Sequence, residues 1–367
     1  MEGAERSFLE SIKALKMMGV EVIAFLPSQG PLCKKLHDIK TPYYFLDFPR
    51  WMRKNKISLL KKIEFILWQF SLIRKFKNKL LELKPDYVIT NTVVISPFAA
   101  IASKKIGIPH FWYIREFGDE DHSLKFILGK RWSGKIISRY SNKVLVNSEI
   151  IKKHFSKIID ADKMRLLYNA VENVEVSKND MLENTPDSGE LSILLLGRMF
   201  AKKGQEEAVK GLYHLKKKGY SAQLTLVGGG KDSYKDHLKS MARDLNVQDR
   251  VRIVNFTPEP MKYLHETDIV LMCSKMEAFG RVTIEAMKMG KPVIGANSGA
   301  TPEIIRDGVN GKIYESGNPE DLADKIIYFL TNKHEIKQMG IRAKKWSLEN
   351  FSYEVHGKNL MKIIQEV

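Results

Sequence analysis

Short runs of β-branched and aromatic residues alternate with longer helical patterns along nearly the whole chain, and this alternation limits its fold more than any other feature. Strands that follow one another through helices of this length form βαβ units and mainly parallel sheets. In the first half the runs are Val20 to Leu26, Tyr43 to Phe48, Asp86 to Thr90, His110 to Arg115, Lys143 to Asn147 and Arg165 to Tyr168. A polar stretch interrupts them, and they resume as Ser192 to Leu196, Gln223 to Val227, Val251 to Phe256, Asp268 to Cys273, Pro292 to Ala296 and Lys312 to Tyr314. The pattern predicts an α/β protein of two doubly wound, Rossmann-like domains: residues 1–171, a linker at 172–190 and a second domain at 191–345. A length of 367 residues also exceeds what one hydrophobic core usually organises. Residues 346–367 are expected to form a helix crossing back to the first domain, anchored by Trp346, Phe351, Leu360, Ile363 and Ile364. Open sheets of this kind bind ligands beyond the carboxyl ends of their strands, where the strand order reverses, and two facing sheets would enclose a cleft.

The chain opens with Gly3-Ala4-Glu5-Arg6 leading directly into the helical pattern Phe8, Leu9, Ile12, Leu15, so the first sheet is expected to lack a strand. The two cysteines, Cys33 and Cys273, are far apart and have no metal-ligand spacing, which fits a reducing cytoplasm better than a disulfide framework or zinc site. With no apolar run of membrane-spanning length and no basic segment followed by an apolar one at the N-terminus, neither a transmembrane helix nor a signal peptide is predicted. A net charge of +17 nevertheless draws anions, whether nucleic acid, acidic lipid or a phosphorylated substrate.

The richest segment runs from Ser274 to Pro292. Gly290 followed by Pro292 is a helix stop, so a short helix is predicted from near Gly280 to Met289. The first-turn amides of Gly280, Arg281 and Val282, with the positive end of the helix dipole behind them, would make a diphosphate site. Glu277 precedes that helix and Glu285 falls in its second turn, so two carboxylates flank the anion site, each suited to accept hydrogen bonds from hydroxyls. A nucleotide sugar has a hydroxyl-rich ring on either side of a diphosphate and fits this order. The competing interpretation makes Glu277 a dipole partner and Glu285 a solvated helix residue. In Leu194 to Gly204, Arg198 falls at a strand end and Lys203 just before a helix, placed either to neutralise a leaving diphosphate or simply to form a basic surface loop.

These residues together resemble the large retaining glycosyltransferase family 4, which has the two-domain GT-B fold. Gly3-Ala4-Glu5-Arg6 is similar to the family's glycine-rich loop, Tyr168-Asn169-Ala170-Val171 to its strand and turn into the linker, and Gly197-Arg198 with Lys203-Gly204 to its phosphate-binding pair. Leu226 to Gly230, the spaced glutamates Glu277 and Glu285, Asn297 to Glu303 and Asp307 to Gly311 complete a likeness that covers almost the whole chain and is most specific in the second domain. The resemblance implies that Glu277 binds donor-sugar hydroxyls, Glu285 the ribose, Arg198 and Lys203 the diphosphate, and Gly280, Arg281 and Val282 the phosphates through their amides. It places Gly3 against the diphosphate from the first domain. It also implies a UDP- or GDP-linked sugar as co-substrate, a saccharide or lipid-linked acceptor, and no metal or other cofactor. Asp119-Glu120-Asp121 is accordingly expected to be a solvated loop rather than a metal site.

One position departs from the family. Many members carry a histidine at the end of the fourth strand of the first domain, where this chain has Arg115 and Glu116, with His122 further along. Arg115, Glu116 and His122 are expected to line the acceptor side, although a loop histidine is also compatible with a plain surface position. The G-x-G-x-x-G spacing is absent around Gly228-Gly229-Gly230, and neither a G-x-S-x-G elbow nor a P-loop occurs, which removes the main support for nicotinamide, hydrolase and kinase chemistries. A sugar-nucleotide epimerase on the same fold and an inactive sugar-nucleotide-binding protein are the alternatives to a transferase. The segment 50–84 holds eleven Lys or Arg against two Glu, interleaved with Trp51, Phe65, Trp68, Phe70 and Phe76. It is read either as a surface for the anionic inner face of a membrane or as an amphipathic helix packed on its own sheet. No nucleic-acid-binding motif accompanies the charge.

Overall fold

The computed structural model describes residues 3–55, 57–120, 123–173 and 190–367. The chain divides into two compact units, Met1–Ala170 with Tyr353–Val367, and Val171–Ser352. Most of the predicted linker, 174–189, and His122 lie outside the described residues.

The first unit contains strands β1 (Ala24–Leu26), β2 (Tyr43–Phe45), β3 (Met52–Arg53), β4 (Val88–Asn91), β5 (His110–Ile114), β6 (Lys125–Phe126), β7 (Lys143–Val146) and β8 (Met164–Leu166). Its helices are α1 (Gly3–Met17), α2 (Pro31–Asp38), α3 (Leu59–Leu83), α4 (Phe98–Lys105), α5 (Lys130–Tyr140) and α6 (Glu149–Phe155). Strands β4-β5-β7-β8 form one parallel sheet, β1 and β2 a separate parallel pair. The first predicted run is a regular strand only over Ala24–Leu26. Strands β3 and β6 form a short antiparallel ribbon that period-based reasoning did not anticipate, because two-residue strands carry no period.

The second unit has one six-stranded parallel sheet built from β9 (Leu191–Leu196), β10 (Ala222–Val227), β11 (Val251–Val254), β12 (Ile269–Met272), β13 (Val293–Ala296) and β14 (Gly311–Tyr314). The order is β11-β10-β9-β12-β13-β14, so the strand order reverses between β9 and β12. Helices α7 (Gln205–Lys217), α8 (Asp232–Asp244), α9 (Pro260–His265), α10 (Arg281–Lys288), α11 (Thr301–Ile304), α12 (Pro319–Thr331) and α13 (Lys333–Phe351) belong to this unit. Strands β9 and β12 are nearly continuous in apolar residues because both faces are covered, and Ile193, Leu195, Ile269 and Leu271 all lie in the core.

The C-terminal residues form two helices, not one. Trp346 sits in α13, its indole N–H donating to the Ile304 carbonyl at 3.1 Å and its ring under Arg306. The last helix, α14 (Tyr353–Ile364), belongs to the first unit, where Leu360 and Ile363 join Leu15 of α1 and Phe111 and Tyr113 of β5 in one apolar cluster.

Within segment 50–84, three of the five aromatic residues named as anchors are core residues: Trp51, Phe65 and Phe76 are all buried. Trp51 stacks on Trp112 and donates its indole N–H to the Val93 carbonyl at 2.6 Å. The Leu80 face of α3 packs through Phe76, Ile73 and Leu72 against Phe98, Ala99 and Ala102 of α4.

Candidate functional site

In the second unit, the loops leaving β9 and β12 flank the reversal of strand order, the position where open α/β sheets hold ligands. They are tied to each other through the main chain. Lys275 N–H donates to the Lys202 carbonyl at 3.0 Å. A Cβ at Gly204 would stand 2.1 Å from the Cys273 carbonyl oxygen, so only glycine lets the loops approach this closely. Across that seam Lys203 Nζ donates to Glu277 Oε2 at 2.7 Å, with 29% and 17% of the two side chains still exposed. The Glu277 backbone is fixed from the far side, its carbonyl accepting from Ala300 N–H at 2.8 Å. Gly299 (φ 58°) lies so near that a Cβ would come within 2.5 Å of the Glu277 amide nitrogen and carbonyl oxygen.

Arg198 is exposed at the end of β9, and its carbonyl accepts from the buried Gln205 amide at 3.0 Å. Gly228-Gly229-Gly230 packs beside it. Met199 N–H donates to the Gly229 carbonyl at 2.7 Å, and a Cβ at Gly228 would lie 1.9 Å from the Gly197 carbonyl. Gly228 and Gly230 are explained by this close approach of two loops, a Cβ at Gly230 falling 2.5 Å from the Met199 carbonyl.

Helix α10 starts as predicted, with Gly280 as a left-handed N-cap (φ 81°), Arg281 as its first residue and Val282 as its second, and it is capped at Met289. Glu285 is 3% exposed and pairs with Arg281 at 3.2 Å, which rules out the solvated-helix alternative. On the buried side of the same helix, Lys288 donates to Asn173 Oδ1 at 2.8 Å, to the Phe351 carbonyl at 3.3 Å and to the Val171 carbonyl. The two carboxylates thus differ in setting: Glu277 faces an accessible ammonium, while Glu285 is held inside the first turns of the helix.

In the first unit the carboxyl ends of β4, β5, β7 and β8 gather a polar network. Arg115 is 6% exposed, and its guanidinium donates to Asn91 Oδ1 at 2.6 Å, to Ser11 Oγ at 2.7 Å and to Asn169 Oδ1, while lying 3.6 Å above the Tyr113 ring centre. Asn147 donates to the Arg115 carbonyl at 3.0 Å. Glu116 accepts from Val93 N–H at 2.8 Å and from the Thr92 hydroxyl. His356 of α14 closes the network. Its Nδ1 lies 2.7 Å from the Tyr168 carbonyl and its Nε2 3.0 Å from Ser11 Oγ, which assigns the proton to Nδ1 and makes Nε2 the acceptor. Burial, helped by the Arg115 charge, lowers the His356 pKa to about 4. Burial likewise lowers His110, between the Thr90 and Ser141 hydroxyls, to about 3.

Gly3 is the first residue of α1, and a Cβ there would meet nothing within 4 Å. Of the acidic loop, Asp121 lies outside the described residues, and Asp119 and Glu120 are more engaged than a solvated loop would be. Asp119 pairs with Lys130 at 3.0 Å and His154 at 3.1 Å, and Glu120 with His154 at 3.2 Å. Burial opposes the Asp119 charge, but Lys130 and His154 outweigh it and keep the carboxyl below its ordinary range. Sequence reasoning missed Ser11, Asn91, Asn147 and His356. The asparagines left a signal in the chain, since Asn91, Asn147 and Asn169 each directly follow or end a strand run.

The sequence matches the family described as Glycosyl transferases group 1 over residues 177–346 and the family described as Glycosyltransferase Family 4 over residues 1–173. The chain belongs to the group 1, family 4 glycosyltransferases. An uncharacterized glycosyltransferase of Haemophilus influenzae is 25% identical over 368 residues, spanning 99% of this chain and 94% of the relative. The GDP-mannose-dependent alpha-(1-6)-phosphatidylinositol monomannoside mannosyltransferase of Mycolicibacterium smegmatis is 26% identical over 181 residues, 47% of each chain. In fold, the chain is similar to the crystal structure of Anabaena Alr3699/HepE in complex with UDP, with a TM-score of 0.82 and 20% identity, covering 100% of this chain and 97% of that one. The protein is therefore a transferase of the glycosyltransferase class with the GT-B architecture. Among the described residues no helix is long and apolar enough to cross a membrane.

Proposed function

We propose that this glycosyltransferase takes a sugar from a nucleotide-diphosphate sugar, with UDP or GDP as the leaving group, and passes it with retention to an acceptor hydroxyl in polysaccharide or glycolipid synthesis. The observation that carries this reading is the Lys203–Glu277 pair at 2.7 Å across the β9–β12 seam, an accessible cation and carboxylate held side by side at the strand-order reversal. Lys203 and Arg198 would take the charge that develops on the leaving diphosphate, with the amides of Gly280 to Val282 completing its environment. Glu277 would then accept from donor-sugar hydroxyls and Glu285 from the ribose, the latter oriented by Arg281. No metal is assigned a part, because two basic side chains and a helix N-terminus supply the charge stabilisation.

In the first unit, Gly3 is assigned to the diphosphate, and Glu116 and His122 to the acceptor. Arg115, whose guanidinium is committed internally, would act by fixing the strand end that carries Glu116. A relative named as GDP-mannose-dependent and a neighbour solved with UDP support a nucleotide-linked donor without choosing the base.

The test is incubation with a panel of UDP- and GDP-sugars, with and without a bacterial lipid extract, read by mass spectrometry. Acceptor-dependent product with release of the nucleoside diphosphate is expected. An isomerised donor with no acceptor would convert the assignment to an epimerase, and a donor that binds but stays unchanged under all conditions would overturn transfer.

A further inference from the structure

Helix α3 has a second apolar face that the fold leaves uncovered. Its core face is Phe65, Leu72, Ile73, Phe76 and Leu80, all buried, the last four packed with Phe98, Ala99 and Ala102 of α4. Leu59, Ile63, Ile66, Leu67 and Phe70 recur every three or four residues on a different side and remain exposed, Leu59 by 72%, Leu67 by 62% and Phe70 by 65%. Leu60 beside them is 73% exposed. A contiguous row of this kind is uncommon on a protein surface and marks an interaction site.

The same helical row continues, at i+4 and i+7 from Phe70, into Arg74 and Lys77, with Lys75 exposed nearby and Lys61 and Lys62 within the apolar turns. Arg53 and Lys54 precede the helix, and β3 pairs Arg53 with Lys125 of β6, adding a further cation at its start. The described helix carries only Glu64 and Glu82 in opposition.

We propose that this face of α3 seats on an anionic lipid bilayer, the Leu59–Phe70 row entering the interface and Arg74, Lys75 and Lys77 meeting lipid phosphates. Aliphatic side chains followed on one face by cations match the two layers of a membrane surface, apolar chain and anionic headgroup. A second copy of the chain fits the charge badly, since pairing this face with itself would set basic rows on a chain of net charge +17 against each other. The proposal is independent of the donor-site assignment, because it concerns binding in the absence of nucleotide.

Co-sedimentation of the full chain is measured with vesicles of phosphatidylglycerol mixed with phosphatidylcholine, and with phosphatidylcholine alone. Binding to the anionic vesicles is expected, falling with added salt. The triple variant Leu59→Gln, Leu67→Gln, Phe70→Gln should weaken it about tenfold or more, since three exposed apolar groups no longer enter the interface. Arg74→Gln with Lys77→Gln should weaken binding at low salt and make the salt dependence shallower, the remaining cations near the face keeping part of it. Leu59, Leu67, Phe70 and Arg74 are exposed and Lys77 is half-buried, and far-UV circular dichroism together with the melting temperature checks that the variants stay folded. Equal binding to both vesicle types, binding unchanged in the triple variant, or a wild-type dimer that the triple variant dissolves while vesicles are not bound would each overturn the proposal.

Discussion

The two units end their parallel sheets in opposite ways. At the β9–β12 seam of the second unit, Lys203 and Glu277 are paired but remain partly open, and Arg198 is exposed. At the corresponding carboxyl edge of the first unit, Arg115 is nearly sealed, its guanidinium shared among Asn91, Ser11 and Asn169. Both edges place charge where doubly wound sheets bind ligands. The second leaves its charged side chains partly exposed, whereas the first commits its arginine to joining β4, β5, α1 and the segment after β8. An ionisable residue at a strand end is therefore insufficient to name a catalytic group; what its polar atoms already touch must be counted first.

The largest expected effect breaks that contrast on its functional side. Lys203→Ala and Glu277→Ala should each lower transfer by on the order of 10²–10³-fold, the magnitude of removing one preorganised charge-stabilising group, with the melting temperature nearly unchanged. Steady-state assay beside thermal unfolding decides it, and near-normal turnover in both variants would sink the assignment of the seam. Next, Arg115→Met should act mainly on stability, by roughly 3 kcal/mol, since the buried acceptors Ser11 Oγ and Asn169 Oδ1 and the half-buried Asn91 Oδ1 lose their donor. Denaturant unfolding measures the loss, and binding of UDP to the folded variant should match wild type. A variant of wild-type stability with lost transfer would reverse the contrast and make Arg115 a residue of the reaction.

The smallest effect is on pH. His110 and His356 are held neutral, at about 3 and about 4 against an ordinary value of 6.5, so between those limits the unfolded chain binds more protons than the folded one. Their contribution is fully present above pH 6.5 and is lost as the pH falls through the folded values. Unfolding free energy measured between pH 7.5 and 4.5 should decline, and His356→Gln should flatten the decline even if it lowers stability at neutral pH. An unchanged slope would mean that His356 is not buried neutral. This sharpens the comparison, because His356 belongs to the sealed network of the first unit and the exposed seam has no such buried imidazole in its network among the described residues.

How much the chain declared in advance follows from the range of each interaction. The twelve predicted runs nearly all became strands because alternation and apolar continuity are local, and the start and stop of α10 were legible in Gly280, Gly290 and Pro292. The spacing of Glu277, Glu285, Arg198 and Lys203 was likewise visible, as were two blocks and the family they belong to. Periodicity could not show that Phe65 and Phe76 face the core while Leu59, Leu67 and Phe70 do not, because a helix with two apolar faces gives no sign of which one its neighbours will cover. It could not pair Lys203 with Glu277 or Ser11 with His356 either. Those contacts join residues 74 and 345 positions apart, and only the closing of the chain brings them within hydrogen-bonding distance. Sequence by itself determined which elements form and which residue types stand at their ends; tertiary structure decided which of those ends remain open for chemistry, because burial and hydrogen-bond satisfaction are properties of the assembled neighbourhood.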